Sequence, residues 1–373
     1  MGPKQEPNWY KSYLTFQMIY FEDFLKYLKS ANYDFLFLDE YFALRNDSAV
    51  KNKKMICLTF DDGYLDNYVF VYPLLKKYKA KGTIFVSPEY VQDSRPIRPT
   101  LEDVWSGKIS QNELHTLGFL SWDEMLLMEN SGVINIQSHT MTHTKYFVSG
   151  RIREFHHPHA DYLYPISNIF PEKKPNYITD TEFNKLIPFG APFFEEKSAL
   201  IARKVTINPL FQEECVALLN STNWDNYQFS HCIKVIKTLY EKYQSEDNLI
   251  SHIETQKEYE ARVIWEIRSS KRILEKRLKT KINHICWPHG DYNDFCHQTA
   301  RDEGYQSSHI VLKTWEKNNL EDRFDRTGSG IIKQNRFFTL WKARYKVGAY
   351  RNVCPYNWIW FFYSNIVYGT KKN

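Results

Sequence analysis

Short apolar runs and amphipathic stretches alternate along the first 145 residues of the chain. The apolar runs have the length of strands and lie around Cys57, over residues 83–86 and over residues 133–137. Helical spacing of apolar positions occurs over residues 21–31, after Tyr68 and from Ser121, where Glu124 completes a capping-box pattern. This alternation of strand and helix predicts a parallel α/β architecture, because parallel strands need helical crossovers between them.

The pattern changes between residues 145 and 257. Proline residues interrupt loop-like sequence up to about Pro192, and helical periods follow over residues 197–204 and 232–243. We therefore expect an insertion of loops and helices that is placed to form a lid or an acceptor-binding surface.

The α/β pattern resumes after the insertion. A long helix rich in Arg, Lys and Glu is predicted over residues 261–278, and it leads into another apolar strand that ends at Cys286. From Arg326 onwards, strand and helix patterns are expected to close the same α/β unit.

Two polar clusters follow apolar runs of the first part. Asp61 and Asp62 follow the first run, and His139 and His143 follow the third. Either pair alone is also typical of a solvated turn or of surface histidines, but α/β enzymes place their chemistry at the carboxyl ends of strands. Zinc hydrolases hold their ion with three such side chains and leave one position open, and a neighbouring carboxylate can accept the proton of the attacking water. Together the clusters indicate a metal-dependent hydrolase.

Four segments of the chain resemble motifs of the polysaccharide deacetylases, the NodB-homology group of carbohydrate esterases. Residues 59–63 read Thr-Phe-Asp-Asp-Gly, which matches the TFDDG signature of that family. Residues 81–86 resemble its second strand, residues 132–143 its His-Ser/Thr-x-x-His motif, and residues 285–293 its third motif. The Trp-Pro-x-Gly-x-Tyr-Asn sequence in the third motif resembles most the circularly permuted branch that acts on poly-N-acetylglucosamine.

The resemblance implies a fold and a division of the chain. It implies an irregular (β/α) barrel of the NodB deacetylase type, formed by residues 20–144 and 258–345. Residues 145–257 would be an insertion between the second and third motifs, and residues 346–373 would form an aromatic carboxyl-terminal helix.

The resemblance also implies roles for individual residues. Asp62, His139 and His143 would bind a divalent metal ion, with zinc as the expected ion, and Asp61 would be the general base that deprotonates the attacking water. The backbone N–H of His289 would stabilise the oxyanion. The residues expected to contact the substrate are Trp287, Pro288, His289 and Tyr292.

The chain departs from the family pattern at two places. The family often has an Arg two residues before the proline of the third motif, where it orients the catalytic Asp, and here that position is Cys286. The related branch carries its general-acid His on an apolar first strand, and the polar opening of this chain contains no such strand. We expect upstream sequence to encode that strand, and otherwise His289 or His309 would have to donate the proton.

The composition of the chain is that of a globular protein. The chain has 373 residues, of which 43% are hydrophobic and 25% are charged, which is typical of globular domains. The net charge of +5 does not indicate a nucleic-acid partner. Six cysteines without a Cys-x-x-Cys pair, no secretory signal and no apolar run of membrane-spanning length predict a cytoplasmic enzyme.

The carboxyl end is rich in aromatic residues and ends with two lysines. A helix docked on the barrel is expected there in preference to an interfacial membrane helix. For the whole chain, the predicted function is removal of N-acetyl groups from a saccharide in bacterial surface-polysaccharide metabolism. An amidohydrolase for small cyclic amides and an inactive carbohydrate-binding relic are the alternatives, and neither the sugar nor the oligomeric state follows from the sequence.

Overall fold

The structure is a computed structural model. It describes residues 16–50, 52–93, 96–159, 163–311, 322–326, 328, 335–351, 353, 355–356 and 358–359.

Strands and helices alternate through the described residues. The strands are β1 Asp34–Phe35, β2 Met55–Ile56, β3 Leu58–Phe60, β4 Gly82–Val86, β5 Ile134–Ser138, β6 Lys145–Phe155, β7 Pro192–Ser198, β8 Val205–Ile207, β9 Ile250–Ile253, β10 His284–Cys286, β11 Ser307–Val311 and β12 Arg323–Arg326. The α-helices are α1 Met18–Ser30, α2 Leu38–Leu44, α3 Tyr72–Tyr78, α4 Leu101–Trp105, α5 Trp122–Asn130, α6 Leu163–Ile169, α7 Pro209–Leu218, α8 Phe229–Ser245, α9 Gln256–Leu278, α10 Asp294–Asp302 and α11 Arg336–Tyr350.

Six parallel strands form the central sheet in the order β12-β11-β10-β5-β4-β3. Every residue of β4 and β5 is buried, as expected for parallel strands covered on both faces. The two edge strands, β12 and β3, come close together: Nη1 of Arg326, at the end of β12, lies 3.2 Å from Oγ1 of Thr59 in β3. The sheet is therefore strongly curled. The predicted α/β barrel is confirmed. Within the described residues no strand pairs with the outer edges of β3 and β12, so the barrel is open between them.

Helices cover the outside of the sheet and form the main hydrophobic core with it. Buried residues of α1, α3, α5 and α9 contribute to this core. The predicted capping box of α5 is present, since Ser121 accepts a hydrogen bond from the Glu124 amide and the Glu124 carboxylate accepts one from Ser121. Another capping box, between Thr255 and Glu258, begins the 23-residue helix α9, so this helix starts five residues earlier than the sequence pattern predicted.

The insertion has a hydrophobic core of its own. Strands β6 and β7 pair antiparallel, as do β8 and β9, and helices α7 and α8 pack on them around residues such as Phe194, Phe211 and Ile236. The predicted helix over residues 232–243 is confirmed by α8. The helical prediction for residues 197–204 is wrong, because this segment is the end of β7 and a turn. The expected loops before Pro192 are also partly wrong, since they contain the 11-residue strand β6.

The insertion contacts the barrel through aromatic side chains. Tyr90 and Phe119 of the barrel pack with Leu163, Tyr177 and Phe183 of the insertion in one buried cluster. This contact brings the insertion next to the carboxyl ends of the central strands.

The chain after β12 continues into α11, which packs against α1. The predicted aromatic helix over residues 346–373 overlaps the end of α11 and the helical residues Tyr356, Trp358 and Ile359, and residues 360–373 lie outside the described residues. No helix in the described part of the chain is long and apolar enough to cross a membrane. Five cysteines are described, at positions 57, 215, 232, 286 and 296, and all five are free thiols.

Candidate metal centre and pocket

The aspartate pair lies in a tight turn at the carboxyl end of β3. Asp62 has φ 70° and Gly63 has φ 68°, so two successive residues adopt the left-handed conformation. A Cβ at position 63 would lie 3.2 Å from Val86 Cγ2, and this close approach adds to the need for glycine. A non-glycine residue held in this region costs roughly 1–3 kcal/mol and is typical of functional sites.

The histidine loop follows β5 and is strained in the same way. Thr140 has φ 62° and His143 has φ 44°. The Ser87 hydroxyl donates to the His139 carbonyl at 2.7 Å, and the Thr140 amide donates to Ser138 Oγ at 3.2 Å. Neighbouring strands therefore hold the loop in its strained conformation.

Two buried charged residues make hydrogen bonds to Thr142, which immediately precedes His143. Glu266 of α9 accepts hydrogen bonds from the Thr142 amide at 2.9 Å and from its hydroxyl. Lys174 of the insertion donates to the Thr142 carbonyl at 3.0 Å and to Glu89 Oε2 at 2.6 Å, although only 1% of its surface is exposed. The position of His143 thus depends on the insertion as well as on the barrel.

The three predicted metal ligands converge. Asp62 Oδ1 lies 3.3 Å from His139 Nε2 and 3.3 Å from His143 Nε2. One potential ligand atom from each of the three residues lies within 4.8 Å of the others. Burial alone would raise the pKa of Asp62, but the two imidazoles outweigh it and hold the pKa well below its usual range, so the carboxylate is available as an anionic ligand.

This donor set fits a divalent ion such as zinc. His139 Nδ1 lies 2.8 Å from the Cys286 carbonyl, so Nδ1 carries a proton and Nε2 would be the atom that coordinates an ion beside Asp62. Asp61, His139 and Cys286 form a second cluster of potential ligand atoms. That second cluster fits less well, because Arg326 already occupies both Asp61 oxygens and the Cys286 sulfur.

Arg326 holds the predicted general base. Its Nη1 and Nη2 atoms lie 2.7 and 2.8 Å from the two carboxylate oxygens of Asp61, a bidentate geometry. Burial raises the pKa of Asp61, but the charge and hydrogen bonds of Arg326 outweigh burial and lower the pKa overall. Sequence reasoning missed Arg326, because it sought this arginine at position 286.

A cavity of about 440 Å³ opens beside the metal ligands. The insertion contributes one wall with Lys145, Leu163, Tyr164 and Tyr177, and none of these residues was predicted from the sequence. The barrel contributes the remaining lining residues, which are Asp61, Asp62, Tyr64, Ser87, Tyr90, Phe119, His139, His143 and His289. The cavity therefore joins a polar, metal-binding floor to an aromatic wall.

His289 is the one residue among the four predicted substrate contacts that lines the cavity. Its ring centroid lies 4.6 Å from that of His143, and its Nε2 lies 3.1 Å from the Tyr164 hydroxyl. Burial, with His143 and Lys145 nearby, lowers the pKa of His289 to about 3. Its backbone has φ 59°, which produces the sharp turn after Pro288.

The other three predicted substrate contacts lie outside the cavity lining. Trp287 is 1% exposed and packs in the main core, where its indole stacks on Tyr292 with ring centroids 5.8 Å apart. Pro288 is also buried. Of the two candidate proton donors, His309 is 1% exposed inside the barrel beside Ser307, whereas His289 lies at the cavity.

Comparison with known proteins identifies relatives of the chain. The sequence profile of the polysaccharide deacetylase family matches residues 48–175 and 226–308, which is more than half of the chain. A protein of Bacillus subtilis that is assigned to the polysaccharide deacetylases, YxkH, is 32% identical over 123 residues, covering 33% of this chain and 36% of YxkH. The poly-beta-1,6-N-acetyl-D-glucosamine N-deacetylase of Staphylococcus aureus is 28% identical over 120 residues, covering 32% of this chain and 35% of that enzyme.

These matches span about a third of the length of the curated relatives. A solved structure extends the similarity to the whole fold. The de-N-acetylase from Aggregatibacter actinomycetemcomitans superimposes with a TM-score of 0.53 at 16% sequence identity, covering 91% of this chain and 93% of that chain. At this identity the similarity is one of fold alone. The family resemblance predicted from the sequence motifs is confirmed.

Proposed function

This chain belongs to the polysaccharide deacetylase family, and on that premise we propose that it is a metal-dependent hydrolase that removes N-acetyl groups from a saccharide. The observation that supports the proposal is the convergence of Asp62, His139 and His143 beside Asp61 at the floor of a cavity. The reaction class is hydrolysis of an amide to acetate and a free amine.

The proposal assigns a chemical role to the residues around the metal centre. Asp62, His139 and His143 hold the ion, most simply zinc, which when bound polarises the amide carbonyl and acidifies a water molecule. Asp61 accepts the proton of the attacking water, and Arg326 keeps its carboxylate ionised and oriented. The His289 amide is our proposed donor to the oxyanion.

The aromatic wall supports a saccharide as the substrate. Tyr64, Tyr90, Tyr164 and Tyr177 line the cavity, and their rings offer flat apolar faces as well as hydroxyl groups. The Tyr90 hydroxyl is buried and has no hydrogen-bond partner among the described residues. A substrate hydroxyl in the cavity would satisfy it.

Acetate release from a panel of N-acetylated and O-acetylated saccharides tests the proposal. We expect release from N-acetylated substrates, loss of that activity after chelation, and recovery with zinc or cobalt. Asp61→Asn should lower kcat about a hundredfold or more while the metal content stays at that of the wild type, because Asp61 acts beside the ion rather than on it.

The outcomes separate this function from its alternatives. Hydrolysis of small cyclic amides without acetate release from any saccharide would favour an amidohydrolase. Saccharide binding without turnover in the metal-loaded protein would favour a carbohydrate-binding relic. Loss of metal from Asp61→Asn would make Asp61 a ligand and overturn the assignment of the general base.

A further inference from the structure

Helix α11 presents an exposed aromatic face. Thr339 and Ala343 are at most 3% exposed and lie on the side of the helix that packs towards the protein. On the other side, Phe337 is 71% exposed, Phe338 is 51% exposed and Trp341 is 50% exposed. We name these last three residues the aromatic face. Large side chains exposed in a group on one helix are unusual for a surface that contacts only water.

The chain around the aromatic face is strongly cationic. Residues 327–373 contain eight Lys or Arg and no Asp or Glu, so they account for more than the whole net charge of +5. The same segment contains twelve aromatic residues. Arg344 and Arg351 are exposed, with their guanidinium groups 4.6 and 5.5 Å from the rings of Tyr27 and Tyr33. The rest of the protein is net acidic, so this charge is a local property.

Aromatic side chains beside Lys and Arg match the chemistry of an anionic bilayer surface. Aromatic rings are stable at the level of the lipid headgroups, and each basic residue near an anionic surface contributes about 1 kcal/mol of attraction. A second copy of the chain is a poorer occupant, because two cationic segments would face each other.

We propose that α11 lies on the surface of a membrane rich in anionic phospholipid, with the aromatic face in the headgroup region. The remaining aromatic residues, at positions 360–363 and 368, and the lysines at 371 and 372 extend the same composition to the end of the sequence. This inference concerns where the enzyme works, and it goes beyond the proposed reaction.

Co-sedimentation with lipid vesicles tests the proposal on the full chain. We expect the protein to sediment with phosphatidylglycerol vesicles and to stay in the supernatant with phosphatidylcholine vesicles, and high salt should weaken the binding. Phe337→Ala with Trp341→Ala should reduce the bound fraction about tenfold or more. The matched control, Phe229→Ala with Trp265→Ala, removes aromatic residues that are 37% and 45% exposed elsewhere and should bind like the wild type.

Three results would overturn the proposal. The first is a wild-type protein that does not bind anionic vesicles, and the second is equal binding by the two double variants. The third is a wild type that sediments as a dimer without lipid while Phe337→Ala with Trp341→Ala sediments as a monomer, since the face would then bind a second copy. Acetate release from a soluble substrate should be unchanged in both double variants, so failure here is distinguishable from failure of the proposed reaction.

Discussion

Asp61 depends on one partner, because both of its carboxylate oxygens bind the guanidinium group of Arg326. We predict that Arg326→Ala lowers kcat about a hundredfold with little change in metal content, since Arg326 does not contact the ligand Asp62. Added guanidinium ion should restore part of the activity by filling the vacated site. Steady-state kinetics and metal analysis measure both effects.

Arg323→Ala is the control for Arg326, because it removes an arginine from the same strand whose guanidinium contacts the Tyr292 hydroxyl. It should retain activity within a few fold and should not respond to guanidinium. Equal losses in the two variants would indicate damage to β12 rather than loss of the Asp61 contact.

Tyr90 provides a second prediction for a single residue. Its hydroxyl is buried at the cavity without a hydrogen-bond partner among the described residues. Tyr90→Phe should raise KM about tenfold and leave kcat within a few fold, because one hydrogen bond to substrate contributes about 1 kcal/mol or somewhat more. Tyr68→Phe, which changes a buried tyrosine outside the cavity, should have no effect on KM. An unchanged KM in Tyr90→Phe would mean that its hydroxyl does not meet the substrate.

The insertion contributes to the position of one metal ligand, His143. Lys174 bridges Glu89 and the carbonyl of Thr142, and Thr142 precedes the ligand His143. Lys174→Met would leave Glu89 without its cation and remove one of the hydrogen bonds that hold the histidine loop. We expect the affinity for zinc to fall roughly 10- to 100-fold, as it does when other outer-shell partners of metal ligands are lost.

Competition with a chromophoric chelator measures this affinity. Lys173→Met is the matched control, since it removes an adjacent lysine that makes no hydrogen bond to the histidine loop among the described residues. An unchanged affinity in Lys174→Met, with the protein folded, would show that the insertion does not position His143.

At the scale of elements, sequence patterns predicted most of the barrel and little of the insertion. The strands of the barrel are short apolar runs that end in recognisable motifs, so β4 and β5 could be located to within one residue. The strand predicted around Cys57 is divided into β2 and β3, which lie on either side of that residue. Strand β6 includes Ser149, Gly150 and Arg151 and is largely half-buried, so its pattern resembles a loop. Its pairing with β7 joins residues 37–53 positions apart, and no local sequence pattern indicates such a contact.

For the whole molecule, metal binding and folding are expected to be coupled. The three ligands come from loops after β3 and β5, and Asp62 and His143 hold strained conformations that the ion would compensate. At a zinc concentration of about a thousand times Kd, the free energy of unfolding should rise by roughly 4 kcal/mol. Thermal unfolding with zinc and with chelator measures the difference.

His143→Ala should unfold at the same temperature in zinc and in chelator, because its site lacks one ligand. A zinc-dependent shift in this variant as large as that of the wild type would place the ion elsewhere in the molecule.

Part of the candidate site was predictable, because some of its residues belong to the motifs that end the apolar strands of the barrel. Asp61, Asp62, His139 and His143 directly follow apolar strands, so their convergence at one edge of the sheet follows from the parallel order. Arg326 could not be predicted, because its contact with Asp61 joins residues 265 positions apart and depends on how far the sheet curls. The cavity wall from the insertion depends in the same way on tertiary contacts.

The sequence separation between Asp61 and Arg326 also determines the order in which parts of the site are translated. All three metal ligands are translated by residue 143, whereas the arginine that orients the base is added 183 residues later. At about 5–20 residues per second, this interval lasts roughly 10–40 seconds. A nascent chain can therefore acquire the groups that capture an ion well before it acquires the group that orients the base. Ribosome-bound chains that end before β12 should carry metal without hydrolysing substrate, so loading of the ion would precede activity.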